Sequence, residues 1–425
     1  LTITNALKQL RQQLAEFNDQ QPGFARFTVP LPAGCDGLAW LGAQAVWPQF
    51  YWQHRQNTLS ITACGDILHA DTPEEANRLL VTLPPDWLLV GANDFALAHS
   101  FLFVPRVLIQ NDRLSVFLHD DLALHRDAQR AIAFIDGLSE ARPLAPLPGG
   151  VQDIRHQPDS DGWFRQIERA LDAIARGDME KVVLARATDC AFPTAVSAAS
   201  ALAASRAINP RCFHYLLAFT AQRAFLGSSP ERLYHRQSAA LVTEALAGTC
   251  PGAENRQRAQ QLASALLQDE KNRHENQLVV EDICQRLASV TACREVQSVE
   301  VVSLRNVQHL RRVITATLLT TDDSRCLERL QPTAAVAGLP REVARDFIAK
   351  NEPFSREWYA GSVGYLSVAE SEFAVALRCA RVEGQTVRLY AGAGIVAGSQ
   401  PETEWQEINH KVAGLGALFG VILAP

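Results

Sequence analysis

The chain has 425 residues, 47% of them hydrophobic and 20% charged, a composition that supports a large buried core. Its formal net charge of −6 sets the overall field against nucleic acid and anionic membrane, so counter-charges for an anionic ligand must be local. The sequence holds no apolar run long enough to span a bilayer. Its nine cysteines are scattered and odd in number, without a C-x-x-C pair. That pattern argues against structural zinc or a disulfide framework and for reduced thiols in a cytoplasmic protein.

In chain order, LTITNALKQLRQQL reads as an amphipathic helix rather than a secretion signal. Strand-like runs follow, among them DWLLVGAN and RVLIQNDRLSVFLHD, mixed with helices. The stretch from Arg142 to Trp163 is dense in Pro and Gly and interrupts regular structure. Beyond it, GWFRQIERALDAIARGD has helical spacing and ends at Gly177, and EKVVLARATDCAF follows as a strand. Next come a strand AFLGSSPERLYHR and a long helix near QQLASALLQDEKNRHENQLVVEDICQRL. The strands GSVGYLSV, EFAVALRCARVEG and TVRLYAGAGIV precede a closing helix from about Pro401. The apolar tail from Val412 to Pro425 is too short to cross a membrane. This order predicts an α/β or α+β protein with a large sheet, not a doubly wound nucleotide fold.

Several residues suit chemistry as well as structure. Alternation in EFAVALRCARV puts Arg378 on one strand face with Ala374, Ala376 and Ala380. An arginine among alanines suits a bound carboxylate, or a structural pairing with Asp or Glu. In AGAGIVAGSQPETEWQEINHK, Gly392 and Gly394 form a turn that could let backbone N–H groups approach an anion. Ser399 and Glu402 match a capping box, with Pro401 in the first turn. Glu404, Glu407 and Lys411 share one helix face, fit for a hard divalent cation or simply a solvated acidic surface. Lys181 opens the apolar strand VVLARA; a lysine in such surroundings can act as a base or can snorkel. Glu231, in GSSPERL, and Glu275 are ordinary carboxylates until something links them to the others.

Together, KVVLARA, FLGSSPERL, TEALAGT, KNRHENQLVVEDI, VQHL, QPTAAVAGLPR, EWYAGSVGYL, ALRCA and YAGAGIVAGSQPETEWQE resemble, in order, the chorismate-utilising enzymes. That family includes the isochorismate, salicylate, anthranilate and aminodeoxychorismate synthases. The resemblance covers roughly Gly162 to Leu418, and LAWLGAQAVWPQFYWQHR extends it toward the isochorismate synthases of menaquinone biosynthesis. It implies one large domain of two stacked antiparallel sheets flanked by helices. Residues 1–150 would form its N-terminal half, and 151–425 the chorismate-binding region with the active site.

The resemblance further makes Lys181 the base that activates water and Glu231 the acid that protonates the departing hydroxyl. Glu275, Glu404 and Glu407 would bind Mg²⁺, which holds the ring carboxylate. Arg378 and Tyr359 would grip the enolpyruvyl carboxylate, with Gly248, Thr249, His309, Gly392, Gly394 and Lys411 completing the substrate site. Some relatives carry a glutamate where this chain has Asn272, which bears on the ligand set. Aminodeoxychorismate synthases of one type use a lysine nucleophile where Ala247 stands, and anthranilate synthases usually lack a lysine at the Lys181 position. Lys181 with Ala247 therefore implies water as nucleophile, as in isochorismate and salicylate synthases. A silent chorismate-binding subunit would lack the acid or the base. The expected partner is chorismate, with no nucleic acid and no membrane, and the sequence leaves the oligomeric state open.

Overall fold

In a computed structural model, which describes residues 2–32 and 34–421, every strand pairing is antiparallel and all strands join one hydrogen-bonded network. Its branch point is Ser100–Gln110, a β-branched and aromatic strand buried along nearly its whole length. One edge of that strand pairs with Ser60–Ala70; the opposite edge is divided between Arg113–Asp120 and Leu88–Asn93. Two arms diverge from it. The first continues from Ser60–Ala70 through Gln49–Gln53, Phe213–Ala218, Arg223–Ser229, Cys379–Glu383 and Thr386–Ile395 to Lys181–Ala191. The second continues from Leu88–Asn93 through Ser362–Ser367, Glu370–Val375, Arg232–Gln237 and Ala240–Pro251 to Val307–Leu318. The expected α+β architecture of antiparallel sheets and helices is present. The two sheets share a strand rather than standing apart.

The helices follow from local chemistry. Ile3–Glu16 starts at a Thr2 cap and buries Leu7, Leu10 and Leu14 on one face. Ser160–Ala175 starts at an Asp159 cap, and its chain turns away at Gly177, whose φ is +78°. It packs with Pro401–Gly416 against the first arm, while Glu270–Leu287 packs on Ala240–Pro251 of the second. Residues 138–152 are irregular, as the Pro and Gly content of that stretch requires. The chain then rejoins the first arm through Asp153–Gln157. Among the described residues no helix is long and apolar enough to cross a membrane, and the nine cysteines are unpaired. The last four residues of the apolar tail, 422–425, lie outside the described residues.

Five local expectations need correction. AFLGSSPERLYHR is two strands, broken at Pro230 and Glu231. EFAVALRCARVEG is also two strands, broken at 376–378, so alternation does not carry through to Arg378. The long helix is two, Arg256–Gln268 and Glu270–Leu287, because the Asp269 side chain caps the second by accepting from the Asn272 N–H. Gly392 and Gly394 lie inside the strand Thr386–Ile395, paired with Ala185 and Val183, and not in a turn. The final helix begins at Pro401 with Gln400 as its N-cap. Ser399 is buried and accepts instead from the Val396 N–H, so the Ser399–Glu402 box does not form.

Candidate active site

The two strand breaks share a cause. At each, the chain leaves one arm and joins the other: from Arg223–Ser229 to Arg232–Gln237, and from Glu370–Val375 to Cys379–Glu383. Pro230, which cannot donate to a ladder, stands at the first crossing, and Arg378 takes a left-handed φ of +49° at the second. The crossings are tied together, with the Val375 N–H donating to the Glu231 carbonyl and the Ser228 N–H to the Arg378 carbonyl, both at 3.0 Å. Glu231 and Arg378 are thus held between the arms, where a cavity of about 630 Å³ opens. Strands Lys181–Ala191 and Thr386–Ile395 of the first arm line it, opposite Ala240–Pro251 and Val307–Leu318 of the second.

Glu231 is 2% exposed, and its Oε1 has no hydrogen-bond partner among the described residues. Burial, reinforced by the charge of Glu244, pushes its pKa up to about 8 against the pull of Lys181, Lys411 and Arg378. At neutral pH it is a protonated acid facing the cavity. Glu244 stays charged because the Arg55 guanidinium, at 2.6 and 2.9 Å, outweighs burial and holds its carboxyl below the usual range. Arg55 also donates to the Pro230 carbonyl, and Glu244 accepts from the Arg232 N–H, so this ion pair brackets Glu231 on both sides.

Three lysines meet three glutamates beside the acid. Lys181 Nζ lies 2.9 Å from Glu275 Oε1, Lys271 Nζ 2.9 Å from Glu404 Oε1, and Lys411 Nζ 2.6 Å from Glu407 Oε1. The Lys181 amine is fully buried. Its contact with Glu275 is an ion pair without good hydrogen-bond alignment. Burial opposes the charge of Glu275, but Lys181, Lys411 and Lys271 outweigh it and hold the carboxyl below its ordinary range. Glu404 is raised, by burial first and then by the charge of Glu407 one turn on. Gly394 makes this packing possible: a Cβ there would stand 2.3 Å from Glu275 Oε1 and 3.1 Å from Lys181 Cε. Trp405 fastens the helix of Glu404 and Glu407 to the strand of Lys181, its ring covering the Arg186 guanidinium at 4.3 Å.

Among the described residues no three acidic, imidazole or thiol side chains converge as a ready metal cage, because each glutamate is turned to a lysine. The donor set nevertheless fits a hard divalent cation. It is all carboxylate oxygen, and both causes that raise Glu404, burial first and then the charge of Glu407, are ones a cation would offset.

The opposite side of the cavity suits anions. Arg378 donates to His309 Nε2 at 2.8 Å, so the imidazole carries its proton on Nδ1, 3.0 Å from Thr249 Oγ1. Burial, with Arg378 and Lys411 nearby, drives the His309 pKa well below its ordinary value. Lys411 also donates to the Gly392 carbonyl at 2.8 Å. A bulge in Ala240–Pro251 presents Ala247 and Gly248 to the cavity. Asn272 steadies that bulge, accepting from the Thr249 N–H at 2.9 Å. Tyr359 lies stacked on Tyr390, ring centroids 5.0 Å apart.

Of the residues singled out from sequence, Glu231, Gly248, Thr249, Glu275, His309, Tyr359, Arg378, Gly392, Gly394, Glu407 and Lys411 all line the cavity. Lys181 and Glu404 do not; Lys181 stands one layer behind, against Glu275, and Glu404 is paired with Lys271, which does not line the cavity either. Sequence reasoning missed Tyr390, which the strand period would have grouped with Gly392 and Gly394. It also missed Lys271, Arg55 and Glu244, whose partners are distant in sequence.

A cavity between antiparallel sheets that pairs a protonated acid with buried amines and an anion-binding flank defines an enzyme for a small anionic substrate. The chain belongs to the chorismate-binding enzymes, whose family profile matches residues 93–420. It is 47% identical to the isochorismate synthase MenF of Escherichia coli (strain K12), over 98% of this chain and 99% of that protein. The solved structure of the E. coli enzyme superposes with a TM-score of 0.95, covering 98% of this chain and all of that one. The isochorismate synthase MenF of Haemophilus influenzae is 37% identical, over 98% of this chain and 97% of its own length. Anthranilate synthase component I of Streptococcus pneumoniae, 20% identical with a TM-score of 0.68 over 92% of each chain, shares the fold.

Proposed function

We infer that the chain is an isochorismate synthase, an isomerase that exchanges the C4 hydroxyl of chorismate for one at C2, in menaquinone biosynthesis. Likeness over the full length to enzymes of that name supports the activity. The observation that carries the mechanism is Glu231, a buried carboxyl that keeps its proton at neutral pH and holds one oxygen unpartnered beside the cavity.

In this reading water attacks C2 as Lys181 takes its proton. The ring double bond shifts, and the C4 hydroxyl departs with the proton of Glu231. One C–O bond forms and one breaks, and one proton is accepted while one is given. Water is a poor nucleophile and hydroxide a poor leaving group, so each catalyst contributes ~10²–10⁴-fold. Lys181 acts as the base after its ammonium, paired with Glu275 behind the cavity wall, gives its proton to solvent. The neutral amine then turns past Glu275 toward the bound water. Ala247 presents only a methyl group to the cavity, so no side chain there competes with water for C2. Arg378 and Tyr359 hold the enolpyruvyl carboxylate, with His309 and Thr249 fixing the guanidinium. Mg²⁺, held by Glu275, Glu404 and Glu407, would neutralise and orient the ring carboxylate. Nine unpaired thiols suit a reducing compartment, which we take to be the cytoplasm.

The test is chromatography of purified protein incubated with chorismate and Mg²⁺. Isochorismate as sole product is the expected result. Salicylate with pyruvate would make the chain a salicylate synthase, and absence of turnover would reduce it to a binding subunit.

A further inference from the structure

A second cavity, of about 410 Å³, lies behind the active cavity and shares two wall residues with it, Arg378 and Lys411. Among the described residues no Asp or Glu lines it. Arg305 and His410 are exposed at its outer end, and Arg378 and Lys411 are partly buried at its inner end. The active cavity, in contrast, carries Glu231, Glu275 and Glu407 on its own walls. In a chain of net charge −6, a cleft that holds Arg305 and Arg378 and no carboxylate of its own attracts anions, even with the Lys411 ammonium already paired to Glu407 at 2.6 Å.

Arg378 and Lys411 separate the cavities, and the contacts that hold Arg378 are uneven. Arg378 is anchored to His309 at 2.8 Å, whereas its other terminal nitrogen reaches the Lys411 carbonyl at 3.4 Å, a long contact for a charged donor. Gly414 also lines this cavity, close to the side chains of Asn306 and Asn209. A Cβ there would stand 3.2 Å from Asn306 Nδ2 and 3.9 Å from Asn209 Oδ1.

We propose that this second cavity is the port through which the dianionic substrate reaches the active cavity and the dianionic product leaves. The proposal rests on chorismate being the substrate. Arg305 draws the dianion to the mouth, Gly414 leaves it room to pass, and Arg378 exchanges its long contact with the Lys411 carbonyl for a substrate carboxylate. A port alters the rates of arrival and departure together and leaves the equilibrium of binding alone. That separates it from a binding residue.

The experiment is stopped-flow mixing of the intact protein with chorismate and Mg²⁺, followed by tryptophan fluorescence. Gly414→Leu should lower association and dissociation rate constants by the same factor, roughly tenfold, with Kd held within about twofold. Gly414→Ala adds only a methyl group and favours the helix, so it keeps the fold and should show a smaller effect of the same kind. Arg305→Glu, at an exposed position, should slow association about 3- to 10-fold at low ionic strength, with the difference shrinking as salt rises. Wild-type association rates in all three variants, or a changed Kd with an unchanged association rate, would overturn the port alone. Failure of the wild-type protein to bind chorismate would overturn the proposed function and the port with it.

Discussion

A carboxylic acid ordinarily gives up its proton well below neutral pH, so Glu231 needs an environment that makes its charge costly. Burial supplies most of that cost and Glu244 adds to it, and the same cost falls on the fold. The unfolded chain ionises Glu231 near its ordinary value of 4.5, while the folded chain holds the proton to about pH 8. Stability is therefore lost as pH rises between those values, by on the order of 5 kcal/mol once the window is passed. Glu231→Gln should be catalytically dead and yet melt several degrees above wild type at pH 8, with the difference vanishing toward pH 4.5. Equal melting curves at pH 8 would mean that the carboxyl is ionised in the fold. The turnover of the wild type should also fall on the alkaline side of about pH 8, where Glu231 deprotonates opposite Lys181, Lys411 and Arg378. For the base, Lys181→Ala should cut turnover ~10²–10⁴-fold while chorismate still binds, as read by calorimetry. Near-normal turnover in that variant would remove Lys181 from the mechanism.

At the scale of elements, the chemistry depends on where strands end. Alternation in EFAVALRCARV predicts Arg378 on an alanine face, and the arginine does reach the cavity, but because the strand has already stopped. Hydropathy reports burial, and these residues are buried in either arm, so it carries no mark of a chain passing from one sheet to the other. The motif order located nearly the whole lining of the site, since most motifs fall at strand ends, breaks or a bulge facing the cavity, and the helices Glu270–Leu287 and Pro401–Gly416 bring Glu275 and Glu407 to it. It could not expose Lys271 or Arg55, whose roles arise from Glu404 and Glu244 across the fold. The glycines were legible as positions of close approach: the Lys181–Glu275 pair packs against Gly394, and the Tyr359 hydroxyl against Gly392. Gly394→Ala tests this. Its methyl group would collide with Glu275 Oε1, so turnover should drop at least tenfold and the Mg²⁺ requirement should rise. The melting temperature should change little, because the atoms the methyl group meets are the far ends of flexible side chains that can move aside. Unchanged metal dependence would detach Gly394 from the carboxylate cluster.

For the whole molecule, the shared strand Ser100–Gln110 decides how the chain behaves as a unit. The Pro- and Gly-rich break invites a boundary near residue 150, but Gln49–Gln53 pairs with Phe213–Ala218 and Leu88–Asn93 with Ser362–Ser367. Residues 1–150 cannot fold away from 151–425 without leaving two sheet edges bare. Calorimetry should therefore show one unfolding transition, with calorimetric and van't Hoff enthalpies in agreement. Two resolved transitions would show that the halves are independent.

The three lysine–glutamate pairs carry a last consequence for handling the protein. Acidic clusters built only of carboxylates repel themselves when stripped of their cation, and their hosts often loosen. Here each carboxylate has its own tethered ammonium, so most of the repulsion, though not that between Glu404 and Glu407, is offset at rest. Treatment with a chelator should silence turnover while leaving the melting temperature within a degree or two, and restored Mg²⁺ should revive the catalyst without refolding.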